Sequence, residues 1–321
     1  MLWLWILLAV LGVFTVADLA AAWFLIFKYM WRCPAFDARQ RLQALGPDWE
    51  SVVTQANEGL DWVEAQPLEA VSTTSEAGFE LRGTLLPSPT PTANVAICIH
   101  GFRSNWRMDY GASARFIQGC GCHVLFPDNR AHGESGGKFI GFGCSDRRDI
   151  ISWCRYAEER FGKDCRILLV GISMGGAAVV SAAGDPDLPY SVRGVISDCP
   201  FSSGWDEMAY QMKQMFHLPP FPILHTANLI LRLFAGYSLR HRRPVDMVSG
   251  IKIPLLLIHG RADSFVPTYM SEQLYSAATC DKRLLLIDGA GHGVSYCVAP
   301  GIYQEAVREL IERAGMSLTA K

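Results

Sequence analysis

The chain has 321 residues, half of them apolar, enough to bury one large core or two modest ones. Lys and Arg number 29 against 31 Asp and Glu, a net charge of −2. The densest basic run, Arg240-His241-Arg242-Arg243, reads as a solvated loop or helix end, so the charge pattern gives no nucleic-acid footprint.

The first thirty residues differ from the rest. Leu2 to Phe27 is a run of 26 residues in which Asp18 is the only charge. At about 1.5 Å per residue this crosses a hydrocarbon core of roughly 30 Å, so residues 1–31 are expected to form a transmembrane anchor. Asp18 near its middle costs roughly 2.5–3.5 kcal/mol, which the surrounding apolar side chains offset. Trp3, Trp5, Trp23 and Trp31 lie near the two ends, where aromatic rings favour the interface. A cleaved signal peptide wants a positive n-region and a short apolar core, and neither is present. The first positive charges, Lys28, Arg32, Arg39 and Arg41, all follow the apolar run. The expectation is a single-pass protein of the cell membrane with its bulk in the cytoplasm.

Residues 32–66 read as a partly helical connecting segment, with Trp49, Val52, Val53, Leu60, Trp62 and Val63 available to pack on the domain or the membrane. A single larger domain, 67–321, follows. Val71–Thr74 and Phe79–Leu86 predict two strands about the Glu76-Ala77-Gly78 turn. Further strands are predicted at Val95–Ile99, His123–Phe126, Arg166–Val170, Val192–Ser197, Pro254–Ile258 and Arg283–Ile287. Helices are predicted at Asp146–Phe161, Met174–Ala183, Tyr269–Ala278 and Tyr303–Arg313. Apolar strands separated by helices give an α/β fold with a mostly parallel sheet covered on both faces. The interval of about 201–250 breaks this rhythm and is long enough to predict a helical insertion. The ten cysteines include several in apolar strand-like runs, which suits reduced thiols. Cys120-Gly-Cys122 lacks a second pair, so no metal site is expected.

In sheets of this kind, chemistry gathers at the carboxyl ends of the strands. Ile167–Val170 is followed by Gly171-Ile-Ser173-Met-Gly175-Gly176 and then an apolar helix, so a Gly-x-Ser-x-Gly sits on a strand–turn–helix. The glycines allow a turn tight enough to expose the Ser173 hydroxyl, and the helix behind it offers N–H groups to an oxyanion. Gly133-Glu-Ser135-Gly-Gly137 matches the same five-residue pattern without the flanking strand and helix, so Ser135 reads as a structural loop residue. Asp263 follows the strand 254–258 and His292 follows the strand 283–287, in the order Ser, Asp, His that such a triad requires. Asp198, just beyond another strand, is the alternative acid. The loop His100-Gly101-Phe102-Arg103 is expected to supply half of an oxyanion hole, with backbone N–H groups of Phe102 and Met174 as donors. His100 itself reads as a packed structural residue.

These stretches, with Pro127-Asp-Asn-Arg-Ala-His-Gly-Glu-Ser-Gly-Gly137 and His259-Gly-Arg-Ala-Asp-Ser-Phe-Val-Pro267, resemble the α/β-hydrolase superfamily over about 67–315. Within it the chain is similar to a bacterial membrane-anchored branch. Related members commonly read Asp-x-Arg-Gly-x-Gly-x-Ser where this chain has Asn129 before Arg130 and Ala131 in place of Gly. The resemblance implies esterase, lipase or peptidase chemistry without a cofactor.

The expected function is a carboxylic-ester hydrolase acting through Ser173, His292 and Asp263. Met208, Met212, Met215, Phe216 and Phe221 of the insertion are candidates to line a hydrophobic acyl pocket, which suits a lipid-like ester. A serine aminopeptidase or amidase with the same triad is the alternative, with Asp206-Glu207 as a faint candidate for holding a substrate amine. A catalytically silent membrane-linked binding protein is the reading from another class.

Overall fold

A computed structural model describes residues 1–44 and 50–316; Trp49 lies outside the described residues. The chain opens on α1 (Leu2–Leu25), which passes into a π-helical turn, Ile26–Met30. Two helices follow, α2 (Ala38–Gln43) and α3 (Glu50–Glu64). Then come β1 (Glu69–Thr74), β2 (Glu80–Leu86), β3 (Asn94–Ile99), α4 (Trp106–Tyr110), α5 (Ala114–Gly119) and β4 (His123–Pro127). The second half runs α6 (Asp146–Phe161), β5 (Arg166–Ile172), α7 (Met174–Ala183), β6 (Val192–Asp198), α8 (Gly204–Phe216), α9 (Ile223–Phe234) and α10 (Pro244–Met247). It closes with β7 (Leu255–Gly260), α11 (Tyr269–Ala277), β8 (Lys282–Ile287), α12 (Ser295–Val298) and α13 (Pro300–Arg313).

The eight strands form one sheet in the order β1-β2-β4-β3-β5-β6-β7-β8. β1 and β2 are antiparallel to their neighbours, and the pairs from β4 through β8 are parallel. The central strands β3 and β7 are buried along their whole length, as their unbroken apolar runs require in a sheet with helices on both faces. One face packs on α3, α5 and α13 through residues such as Leu60, Val124 and Leu310; the other packs on α6, α7 and α11 through Trp153, Val179 and Leu274. The strand and helix predictions hold, with ends displaced by up to three residues. All ten cysteines are free thiols, eight of them buried.

A third apolar cluster lies over the carboxyl ends of the strands and brings distant segments together. It joins Ala22, Leu25, Ile26 and Met30 to Phe142, Met174 and Phe201, and to Met208, Leu224 and Ile230 of the insertion. The insertion is helical as its length and composition predict. Ser203 caps α8 by accepting the Asp206 N–H at 3.2 Å, and Leu224, Ala227 and Leu231 turn one face of α9 inward. Leu2–Met30 is long and apolar enough to cross a membrane, with residues 2–17 exposed. Asp18 does not stand alone in that run: its carboxylate accepts a hydrogen bond from Thr226 of α9.

The segment after the helix is stitched to the domain. Arg32 donates to the carbonyls of Ser135 (2.6 Å), Gly133 (2.7 Å) and Gly137 (3.3 Å). Arg39 pairs with Asp61 and Glu64, and Arg41 donates to the Arg103 carbonyl at 2.8 Å. Three of the four cations that follow the apolar run therefore also hold local structure. The inner face of α3, Ala56, Leu60 and Val63, is buried in the first core cluster. Leu60→Ala is expected to cost about 2–5 kcal/mol, read by denaturant unfolding of the full chain in detergent micelles. An effect under about 1 kcal/mol would mean that α3 is a detachable linker.

Candidate active site

Ser173 sits between β5 and α7 with φ 56° and ψ −117°, a left-handed conformation that an L-residue adopts only when its surroundings enforce it. The enforcement is visible at two glycines. A Cβ on Gly171 would lie 2.3 Å from the Gly175 carbonyl oxygen, and one on Gly175 would lie 2.1 Å from that of Ile99. The Ser173 N–H is itself bonded to the Asp198 carbonyl at 2.8 Å.

The structure brings Ser173, His292 and Asp263 together. Ser173 Oγ is 2.9 Å from His292 Nε2, and His292 Nδ1 is 2.7 Å from Asp263 Oδ2. With Nδ1–H donating to the carboxylate, Nε2 is left as the acceptor for the Ser173 hydroxyl. Asp263 Oδ1 accepts the N–H groups of Phe265 and Val266, both at 2.9 Å. A second imidazole, His259, brings Nε2 to 3.2 Å from Asp263 Oδ2 while its Nδ1 meets Ser271 Oγ at 2.7 Å. Burial pushes the Asp263 carboxyl up, but the bonds from His259 and His292 and their charge outweigh it and hold the group well below the usual carboxylate range. The sequence reading quoted His259 within a motif but gave it no role at the site, because its contact with Asp263 depends on the turn after β7.

The other candidates separate clearly. Asp198 bonds to Ser295 Oγ at 3.1 Å rather than to His292, and burial raises it to about 6. Ser135 is fully buried, donates to the Asp128 carbonyl at 2.6 Å and accepts the Arg82 N–H at 2.8 Å, so its hydroxyl is spent on the loop. His100 accepts the Asn129 N–H on Nε2 at 3.0 Å and donates from Nδ1 to the Gly101 carbonyl at 2.8 Å. Met174 opens α7, where the first N–H groups lack an intrahelical acceptor. The Phe102 N–H has no acceptor among the described residues, and Gly101 lets its loop approach Ser173, with 3.4 Å from a built Cβ to that of Ser173. Cys199, Asp263 and His292 also lie together with ligand atoms within 4.8 Å. Burial pushes the Cys199 thiol well up, and the other two groups are already bonded to each other, which is a poor cation site.

Ser173 lies between two spaces. A chamber of about 290 Å³ runs under the insertion, lined by Phe102, Phe142 and Phe201 with Met208, Met212, Met215 and Phe216. A broader cleft of about 540 Å³ lies on the His292 side and takes in Leu42, Val52 and Ala56. Of the predicted lining residues, Phe221 is not among them. It is 69% exposed on the outer side of the insertion and packs edge-on against His225. The sequence reading also missed Leu25 and Tyr29 of the N-terminal helix, which line the chamber from the opposite side.

Three charged side chains, Arg41, Arg103 and Glu207, also reach this chamber. Glu207 lines the chamber, accepts from Gln211 Nε2 at 2.8 Å on Oε1, and has no partner for its buried Oε2 among the described residues. Burial, against the weaker effect of Gln211, pushes its carboxyl up to about 8. Its neighbour Asp206 is exposed.

The chain belongs to the alpha/beta hydrolase family, whose sequence model matches residues 96–300. It is 30% identical over 249 residues to the uncharacterized protein YfhR of Escherichia coli K12, covering 76% of this chain and 80% of that one. It is 28% identical over 238 residues to the uncharacterized protein YqkD of Bacillus subtilis, covering 74% and 77%. Among solved structures it resembles an esterase of Pyrococcus furiosus with a TM-score of 0.64 at 24% identity, over 78% of this chain and 92% of that one. It also resembles the acylaminoacyl peptidase of Pyrococcus horikoshii, with a TM-score of 0.57 at 20% identity over 81% and 44%.

The Glu207 shift carries a sign. Between its ordinary range and about 8, the folded chain holds a proton that the unfolded chain has released, so the group lowers stability as pH rises through that window. Glu207→Gln is expected to raise the melting temperature at about pH 9 and to change it less at about pH 5. A difference independent of pH would contradict the buried neutral acid.

Proposed function

We propose that the chain is a serine hydrolase that cleaves carboxylic esters with a hydrophobic acyl group. The observation that carries this is the chain of contacts from Ser173 Oγ to His292 Nε2 at 2.9 Å and from His292 Nδ1 to Asp263 Oδ2 at 2.7 Å. In this reading Ser173 Oγ attacks the acyl carbonyl as its proton passes to His292 Nε2. The N–H groups of Phe102 and Met174 receive the oxyanion. The intermediate collapses to an acyl-enzyme as His292 returns the proton to the leaving alcohol. Water, deprotonated by the same imidazole, then releases the acid. The apolar chamber under the insertion takes the acyl group and the cleft on the His292 side takes the alcohol. A chamber near 290 Å³ is at the small end of ligand pockets and suits one chain rather than two.

In the same reading, Leu2–Met30 is a retained single-pass anchor and the catalytic domain is cytoplasmic. Removing the helix as a signal sequence would strip Leu25 and Tyr29 from the chamber, which favours retention. Lys28 and the arginines after it set the orientation.

Labelling with a fluorophosphonate tests the nucleophile. Ser173→Ala is expected to abolish labelling, Ser135→Ala to retain it where the protein folds, and Asp263→Asn to lower ester turnover by about 10⁴. A labelled Ser173→Ala protein would remove Ser173 as nucleophile.

A second reading, amide or aminoacyl cleavage, is favoured by Glu207 alone. Its partnerless buried oxygen is suited to a substrate ammonium, which would draw the carboxyl back to its charged form. Esters of an amino acid and of its des-amino analogue distinguish the two. A preference for the amine that disappears in Glu207→Gln would favour the second reading, and a preference for the plain acyl ester would discard it.

A further inference from the structure

The insertion has two faces, and only the inner one is accounted for by the chamber. On α9 the inner side is buried, while Leu229, Leu233 and Phe234 on the outer side are each more than half exposed. This apolar surface is continuous with α1. Thr226 bonds to Asp18, the Phe234 ring lies 5.6 Å from that of Trp23, and Met30 meets Tyr237 just beyond α9. The two helices thus run side by side in the same direction. Along α1 the exposed apolar side chains continue past the docking point through Leu19, Phe24 and Phe27, and the first cation is Lys28. A water boundary placed at Lys28 leaves the neighbouring outer face of α9 on the lipid side. The cations facing outward there are Arg232 and Arg240, the latter 3.1 Å from His225 Nε2, with Lys28 on the adjoining helix. Long cationic side chains on such a face reach toward phosphate headgroups while their stems lie in the apolar layer.

We propose that the outer face of α9 lies in the lipid surface beside α1, and that Leu25 and Tyr29 contact an acyl chain drawn from that lipid layer onto Ser173. This rests on the acyl-ester reading above and specifies the source of its substrate. Leu25 and Tyr29 sit on the same helix that enters the lipid and on the same chamber as Ser173. Across from them Met215 and Phe216 end α8, with the Tyr29 and Phe216 rings 6.4 Å apart edge to face. Met215 is itself half exposed, and Leu218 and Phe221 carry apolar surface onward from it. An acyl chain between these side chains exchanges one apolar environment for another, so extraction from the bilayer meets no layer of water.

The test uses the full chain reconstituted in vesicles of phosphatidylcholine and phosphatidylglycerol. Each protein is assayed on a long-chain fluorogenic ester dissolved in the bilayer and on a short water-soluble ester, and the ratio of the two rates is the readout. The combined substitution Leu229→Gln, Leu233→Gln, Phe234→Gln is expected to lower that ratio about tenfold or more, since three buried apolar side chains leave the lipid. Leu25→Trp, which fills the chamber from the helix side, is expected to lower it by a similar factor. A wild-type ratio in the α9 variant overturns lipid docking; if the same substitutions abolish self-association in detergent instead, the face belongs to a second copy. A wild-type ratio in Leu25→Trp overturns the contact with the acyl chain. Wild-type protein that turns over neither ester and takes no fluorophosphonate label defeats the esterase reading, and this inference with it.

Discussion

The site depends on a backbone turn that no side chain could make alone. Ser173 is held in a positive-φ conformation that costs an L-residue on the order of 1–3 kcal/mol. The turn closes only because Gly171 and Gly175 bring their backbones within reach of each other and of β3. The cost is small beside the burial of all ten residues of α7, which anchors the far side of the turn. From this fixed point the hydroxyl faces an imidazole whose ring is held from the opposite edge by Asp263. That carboxylate is in turn saturated by two backbone N–H groups and two imidazoles. Each layer fixes the one inside it, so the geometry is set before any substrate arrives.

Much of this was legible in the sequence because it is local. A strand ending in Gly-x-Ser-x-Gly before an apolar helix describes a turn within ten residues, and the parallel sheet carries Asp263 and His292 to the same edge. The second Gly-x-Ser-x-Gly, at Ser135, differs in its flanking segments. Its buried hydroxyl ties β2 to the loop after β4. The departure at Ala131 also has a physical account. That residue has φ 58°, a conformation that favours Gly, and this chain tolerates a methyl group there inside the third apolar cluster.

What the sequence did not reveal is long-range. Leu25 and Tyr29 reach the chamber only because α1 packs on an insertion some two hundred residues away, and no pattern within either segment announces the pairing. Glu207 stands beside Asp206 in sequence, yet helix geometry turns one inward and the other out. Phe221 has the composition of a lining residue but lies exposed before α9, outside the chamber. Asp18 is the plainest case. Read alone, it is a costly charge in an apolar helix; in the fold, Thr226 supplies a donor for it.

Arg32 ties the end of the N-terminal helix to the domain. Its guanidinium grips three carbonyls of the loop around Ser135, and that same loop presents His132, whose Nε2 accepts the Arg103 N–H at 3.1 Å. Arg103 also reaches back to the Trp31 carbonyl and directly follows Phe102. The end of the helix and the backbone beside Ser173 are therefore joined by two short links, one through Arg32 and the loop of His132 and one through Arg103. Under the proposed membrane-spanning role, bilayer thickness, which sets helix tilt through hydrophobic mismatch, would bear on the loop beside Ser173.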